Sequence, residues 1–184
     1  MIVETPTALA DQLLAKRCRL PDLPRLGGAG VYIFCLSPDA ILPAIMPAAS
    51  NLLYVGMTDQ SLELRNHFLH RDSGRSTLRR SLGSLLVETL GLRAVPRGSQ
   101  VSERDATNYC FADDGEEKLS AWMAANLLGA QYELDCDVRG AEKALIAALR
   151  PPLNLTDWPN PQKPIVSAAR ERCRARARML LAPR

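Results

Sequence analysis

No stretch of this sequence reaches the roughly 18 uninterrupted apolar residues that a membrane span requires. The longest apolar run, Ala40 to Ala49, is broken by Pro43 and Pro47. The first residues, MIVETPTALADQ, carry acids where a secretory signal carries basic residues, and they lack an apolar core. A soluble, cytoplasmic protein without a membrane partner is therefore expected. Cys18, Cys35, Cys110, Cys136 and Cys173 are scattered with no C-x-x-C pair, which excludes a readable zinc cluster or disulfide framework and leaves buried or incidental thiols. No internal repeat is visible. Charge of one sign is also in short supply: 23 Lys and Arg against 20 Asp and Glu leave +3, too little by itself to argue for a polyanionic partner. What is present is apolar material, 47% of 184 residues, enough for one globular domain and too much for a collagen-like, low-complexity or wholly disordered chain.

Periodicity organises that material. A helix is expected over Thr7–Arg17, with Thr7 as N-cap, followed by punctuation at Pro21, Pro24, Gly27 and Gly28. Val31–Leu36 and Leu52–Met57 are short, apolar runs rich in β-branched and aromatic residues and read as buried strands. If they pair, alternation puts Tyr32 and Phe34 on one face of the first, and Tyr54 of the second can share it. Helices are expected over Ser61–His70, over Ser76–Leu90 with Leu78, Leu82, Leu85 and Leu86 as its stripe, and over Asp114–Leu128 with an acidic first turn. Residues 91–106 read as a loop, and Thr107–Phe111 and Gln131–Cys136 as strands. A late helix, Ala141–Leu149, is stopped by Pro151 and Pro152; Glu142 stands beside its apolar stripe in the first turn. The tail from Lys163 is basic except for Glu171 and reads as a helix over Ser167–Leu181.

Gly30-Val31-Tyr32, then Tyr54-Val55-Gly56, then Arg65 on the following helix, then Glu142 on a late helix with a Pro-x-Leu-Asn turn ending at Asn154, resembles the GIY-YIG nuclease superfamily in both order and secondary-structure context. Either tripeptide alone would mean little. The resemblance covers about residues 30–155, and Ser76–Gly83 is also similar to a segment of a bacterial subgroup. It implies a small mixed α/β core with a three-stranded antiparallel sheet flanked by helices, joined here by extra helices and a basic C-terminal helix. The expected division is an N-terminal helical extension at 1–29, a nuclease domain at 30–158 with a Pro-rich insertion at 37–51, and a basic helix at 159–184. Such proteins cut phosphodiester bonds with one divalent metal.

The chemistry explains these residue types. Mg²⁺ accepts as few as one protein carboxylate while keeping its waters, so Glu142 is the candidate ligand for Mg²⁺ or Mn²⁺. Charge gathers on equatorial oxygens in the transition state, and the planar fork of Arg65 suits it. The resemblance implicates Tyr32 as the base, which needs nearby positive charge because a free phenol titrates near about 10. It places Tyr54 on the phosphate or the water, Asn154 at the neighbouring backbone and the substrate, and a histidine in the site. Of His67 and His70, His70 is favoured for catalysis because His67 projects away from Arg65, leaving His67 for substrate contact. Arg75, Arg79, Arg80 and the tail arginines are expected on the phosphate backbone, against an acidic patch at Asp113–Glu117. Two departures stand out: the connection from Tyr32 to Tyr54 is about twice as long as in many relatives, which makes Ser37–Asn51 a Pro-rich insertion, and Met57 replaces a Lys found in several.

Taken singly, each residue has a plainer reading: core tyrosines, a helix-dipole carboxylate, solvated arginines, a turn asparagine, and glycines that allow close backbone approach. The order of the set favours a metal-dependent endonuclease acting on nucleic acid, with DNA as the expected substrate. The alternatives are a binding module of the same fold without cleavage and a delivered cytotoxic nuclease. Homodimerisation is left open.

Overall fold

The computed structural model describes residues 5–65, 72–98, 102–135 and 137–181. Along the chain it forms α1 (Pro6–Ala15), β1 (Cys18–Arg19), β2 (Gly30–Leu36), β3 (Leu52–Thr58), α2 (Thr77–Leu85), α3 (Val87–Leu90), β4 (Ala94–Val95), α4 (Glu103–Thr107), β5 (Cys110–Phe111), α5 (Asp113–Asn126), β6 (Leu127–Glu133), α6 (Val138–Leu149) and α7 (Lys163–Met179). Two compact units result: Met1–Ile41 with Ile45–Asn66 and Ala124–Lys163, and Leu42–Ala44 with His67–Met123 and Pro164–Arg184. No described helix is long and apolar enough to cross a membrane.

The first unit is built on an antiparallel sheet in the order β1-β6-β2-β3. The expected three-stranded core is β6, β2 and β3, and two-residue β1 adds a short fourth strand on the β6 edge. β2 reads as a continuous apolar run because it is the inner strand, buried along its whole length. Val31, Ile33 and Cys35 face a core closed by Leu9 and Leu13 of α1 and Leu145 and Ile146 of α6. Alternation sends Tyr32 and Phe34 to the opposite face. Tyr32 stands across from Gly56 on β3 and Gln131 on β6, and Phe34 stands across from Tyr54. A bulge after Phe34 leaves Leu53 as the extra residue on β3 and brings Leu52 back to the helix-covered face, opposite Cys35.

The N-terminal segment is part of this unit: α1 packs on the core and β1 pairs with β6, so the contact boundary differs from the division expected at residue 29. α1 starts earlier than expected because Pro6 suits the first helical position, and Thr5 Oγ1 accepts the Ala8 amide at 3.2 Å. In the Pro-rich connection, Ser50 and Asn51 adopt left-handed φ of 58° and 59° and turn the chain into β3. The Gln162 side chain holds Met46 by both main-chain groups, accepting its amide at 2.8 Å and donating to its carbonyl at 2.7 Å.

The second unit is mostly helical. α2 is capped by Ser76, whose Oγ accepts the Arg79 amide at 3.1 Å. It buries Leu78, Leu82 and its C-cap residue Leu86, as the stripe requires, but also Arg79, Arg80, Ser81 and Ser84 on its other side. The stretch expected as a loop contains β4 and α4, and α4, capped by Ser102, takes residues expected to begin a strand; β5 keeps only Cys110 and Phe111. The last strand comes earlier than expected, at Leu127–Glu133, because α5 ends at Asn126. α7 begins before the expected Ser167 and buries Val166, Ala169, Cys173 and Ala177, a stripe at three- and four-residue spacing. The basic tail is thus an amphipathic helix packed on its own unit.

Candidate active site

The site lies on the face of β2 and β3 turned away from α1. The Tyr32 and Tyr54 rings stand 6.3 Å apart between centroids, inclined at 33°, and Phe34 meets Tyr32 edge-on at 5.8 Å. Tyr32 lies flat over Gly56: a Cβ there would come within 2.5 Å of its hydroxyl oxygen. Gly56 is required because the ring occupies the space a side chain would need. Gly30 is equally confined, since a Cβ would meet the Tyr132 carbonyl oxygen at 2.1 Å.

Arg65 enters from the turn that follows β3. Ser61 Oγ accepts the Leu64 amide at 3.3 Å and the Ser61 carbonyl accepts the Arg65 amide at 3.0 Å, so one helical turn presents the guanidinium. Arg65 is exposed, and its guanidinium lies near enough to the Tyr32 hydroxyl to pull that phenol's proton affinity down. His67 and His70 lie outside the described residues.

Glu142 sits in the second turn of α6, because that helix starts at Val138, before the expected Ala141. The carboxylate is half-buried and acts electrostatically on Tyr32, and Arg65 acts on both. The two phenols thus stand together, and a guanidinium and one carboxylate from distant parts of the chain lie within electrostatic reach of Tyr32.

Their electrostatics oppose one another. Burial, then Tyr54, push the Tyr32 phenol far above its ordinary range; Arg65 pulls it down by charge and hydrogen bond, and Glu142 adds a further push up. Tyr32 is consequently a neutral phenol at physiological pH, able both to donate and to accept. Glu142 is also raised, first by burial and then by Asp157, against the pull of Arg139, Arg65 and Lys143. It makes no hydrogen bond or ion pair with a described residue. A half-buried carboxylate with no committed partner among the described residues, raised by burial and by a neighbouring acid, fits a divalent cation, which would favour its charged form. No described group of three or more acidic, His or Cys side chains could hold a metal, so the cation would take most of its ligands from water.

Asn154 is 8% exposed and faces the strand, contrary to the expectation of substrate contact. Its Oδ1 accepts the Val55 amide at 2.9 Å and its Nδ2 donates to the Val55 carbonyl at 2.8 Å. Leu153 donates to the Leu53 carbonyl at 3.0 Å, so the turn after α6 lies along the open edge of β3. The side chain replaces a missing strand neighbour and ties the segment after Glu142 to the strand that carries Tyr54. Met57 stands across from Val31 and packs on the core face, away from the phenols.

The arginines expected on phosphate divide. Arg75 is exposed and pairs with Asp72 at 3.4 Å, so it remains available. Arg79 is 0% exposed: it pairs with Glu116 at 2.6 Å and donates to the Glu116 carbonyl and to Ser120 Oγ, both at 3.1 Å. Arg80, 8% exposed, donates to the Ser73 and Gly74 carbonyls. Arg79 cannot reach a phosphate, and Arg80 is committed to the loop before α2. Glu116, read as part of an acidic patch, is instead the buried counter-charge of Arg79.

A scan against protein-family models matches the GIY-YIG catalytic domain over residues 30–176. The chain belongs to the GIY-YIG family. The match runs beyond Asn154 into α7, so most of the packed basic helix lies within the family's span. No curated protein and no solved structure matches the chain. Membership makes it a nuclease-type domain of the endonuclease class, and GIY-YIG nucleases in general depend on a divalent metal.

Three neighbours of this GIY-YIG site escaped the sequence. Arg139 precedes Glu142 by three residues, one helical turn, a spacing that would have flagged it had the helix start been read correctly. Asp157 reaches Glu142 from a loop, with a left-handed φ of 68° that no local pattern announces. Gln131, the partner of Tyr32 on neighbouring β6, is buried, and its Oε1 has no hydrogen-bond partner among the described residues.

Proposed function

We propose that the chain is a metal-dependent endonuclease that hydrolyses phosphodiester bonds in DNA, with Tyr32, Tyr54, Arg65 and Glu142 around one scissile phosphate. The observation that carries the reading is the joint action of Arg65 on Tyr32 and on Glu142. A cation on Glu142 would neutralise a non-bridging oxygen and the leaving oxygen. Arg65, exposed and always charged, holds the equatorial oxygens through its fork. The Tyr32 hydroxyl, beside Arg65 and kept neutral, orients the attacking water, and Tyr54 completes the pair of phenols on the phosphate side. The water oxygen adds to phosphorus and gives up its proton to surrounding water, the bond to the leaving sugar oxygen breaks, and the leaving oxygen takes up a proton from solvent. Phenolate formation at Tyr32 is opposed by burial, Tyr54 and Glu142, which favours orientation over full proton abstraction as its role.

The test is Mg²⁺- or Mn²⁺-dependent nicking of supercoiled plasmid. Wild type nicks, chelator abolishes nicking, and Glu142→Ala lowers it at least about 100-fold, the scale of a lost electrostatic contribution to the transition state. Equal cutting by both proteins would remove Glu142 from the mechanism. Binding without any cutting would make the domain a nucleic-acid-binding module.

A further inference from the structure

In the second unit, four arginines gather beside the loop that precedes α2. Arg80 and Arg97 converge on one acceptor: Arg80 donates to the Gly74 carbonyl at 2.7 Å and Arg97 to the same oxygen at 3.2 Å. Arg97 lies flat on Gly74, where a Cβ would meet its Cδ at 2.5 Å. Arg170 and Arg174, one turn apart on α7, lie close enough to act on the charge of Arg80. Burial and then Arg170, with smaller contributions from Arg174 and Arg97, draw the Arg80 guanidinium down to about 10 against an opposing pull from Tyr109.

Among the described residues no carboxylate pairs with Arg80 or Arg97; Glu171 serves Arg174 and Arg178, and Asp72 serves Arg75 and the Gly74 amide. Arg80, more than nine-tenths buried, keeps an Nε with no hydrogen-bond partner, and the buried Nε of Arg174 has none either. Arg97, Arg170 and Arg174 are half-buried, so the cluster is reachable from solvent. Like charges held this close repel, and an anion with several acceptor oxygens relieves that repulsion while satisfying forked donors.

We propose that Arg80, Arg97, Arg170 and Arg174 form a phosphate-binding site in the second unit, filled by a backbone phosphate of nucleic acid. Arg80 supplies fixed positive charge from the loop, and Arg97, Arg170 and Arg174 make the contacts. The occupant rests on the nuclease reading; the phosphate chemistry rests on the cluster alone.

The test is duplex-DNA binding by fluorescence anisotropy across a salt series, in Glu142→Ala protein without divalent metal, so that cleavage plays no part. Replacing Arg97 and Arg170 together by Gln weakens binding about 10-fold or more and reduces the log-log salt slope by about 2, roughly one per phosphate contact. Replacing both by Lys keeps the slope, which separates charge from packing, and thermal melting checks folding of both pairs. An unchanged slope in a folded Gln pair overturns the proposal, as does a Lys pair that binds as weakly as the Gln pair. If inorganic phosphate raises the melting temperature of wild type but not of the Gln pair, while duplex binding is unaffected, the occupant is a free phosphate and the backbone assignment falls. A protein that binds duplex through these arginines yet never nicks would leave this site standing and end the nuclease reading.

Discussion

The Asn154 carboxamide closes on Val55 through both of its polar atoms, accepting the amide at 2.9 Å and donating to the carbonyl at 2.8 Å. One side chain thereby joins the segment that follows Glu142 to the strand that holds Tyr54. Asn154→Ala leaves two buried main-chain groups unpaired and should destabilise the first unit by about 1–3 kcal/mol per orphaned group. Chemical denaturation measures this loss, and faster hydrogen exchange at the Val55 amide localises it. An unaltered Val55 amide would show that the contact is dispensable.

Gly56 makes room for the Tyr32 ring, whose Cζ and hydroxyl oxygen a Cβ would approach to 2.5 Å and whose Cε2 it would approach to 2.6 Å. Gly56→Ala forces that ring off the sheet. Plasmid nicking should fall by about 10-fold or more, following the scale of misplaced reacting groups, with far-ultraviolet circular dichroism unchanged. Full activity in Gly56→Ala would mean that Tyr32 need not hold its observed position.

Arg79 and Glu116 form a buried pair whose carboxylate also accepts the Ser73 amide at 3.1 Å, Ser73 Oγ at 3.0 Å and the Phe111 amide at 3.0 Å. Removing one partner strands a charge in the interior, so Arg79→Met or Glu116→Gln should cost about 3–5 kcal/mol. The double variant should cost less than the sum, and a double-mutant cycle reads the coupling. Additive losses would mean that the two side chains do not act as a unit.

Glu142 is raised in the folded protein, by burial first and Asp157 second. A carboxyl raised on folding binds its proton more tightly in the native state, so stability falls as pH rises from the ordinary carboxylate range through the folded value. Glu142→Gln should therefore be more stable than wild type at neutral pH, with the difference closing below about pH 4, the unfolded range. Asp157→Asn removes one push, so the acid limb of nicking should move to lower pH. A limb that stays in place would separate Asp157 from Glu142.

Much of this was legible beforehand, and the reasons differ by residue. Val31–Leu36 and Leu52–Met57 read correctly because apolar, β-branched runs announce buried strands, and the alternation that put Tyr32 and Tyr54 on one face survived pairing. The GIY-YIG resemblance identified the family through the order of five residues. Arg79 and Arg80 misled because an arginine off an apolar stripe ordinarily faces water. Their partners lie in other elements: Glu116 stands 37 positions from Arg79, and no local pattern links them. Helix starts were displaced by a few residues because caps such as Asp137 and Thr5 compete with neighbours of similar chemistry. Asn154 was read as a residue that fixes backbone and contacts substrate; the fold supports the first half by burying the amide.

The Asn154 clasp also bears on solubility. β3 lies at the margin of its sheet, where unsatisfied main-chain groups can recruit a strand from another molecule and seed ordered aggregates. The carboxamide and the Leu153 amide occupy part of that margin at Val55 and Leu53, and the opposite margin is left to a strand of two residues. The contacts that hold the turn after α6 against its strand therefore also act as a guard against misassembly between chains.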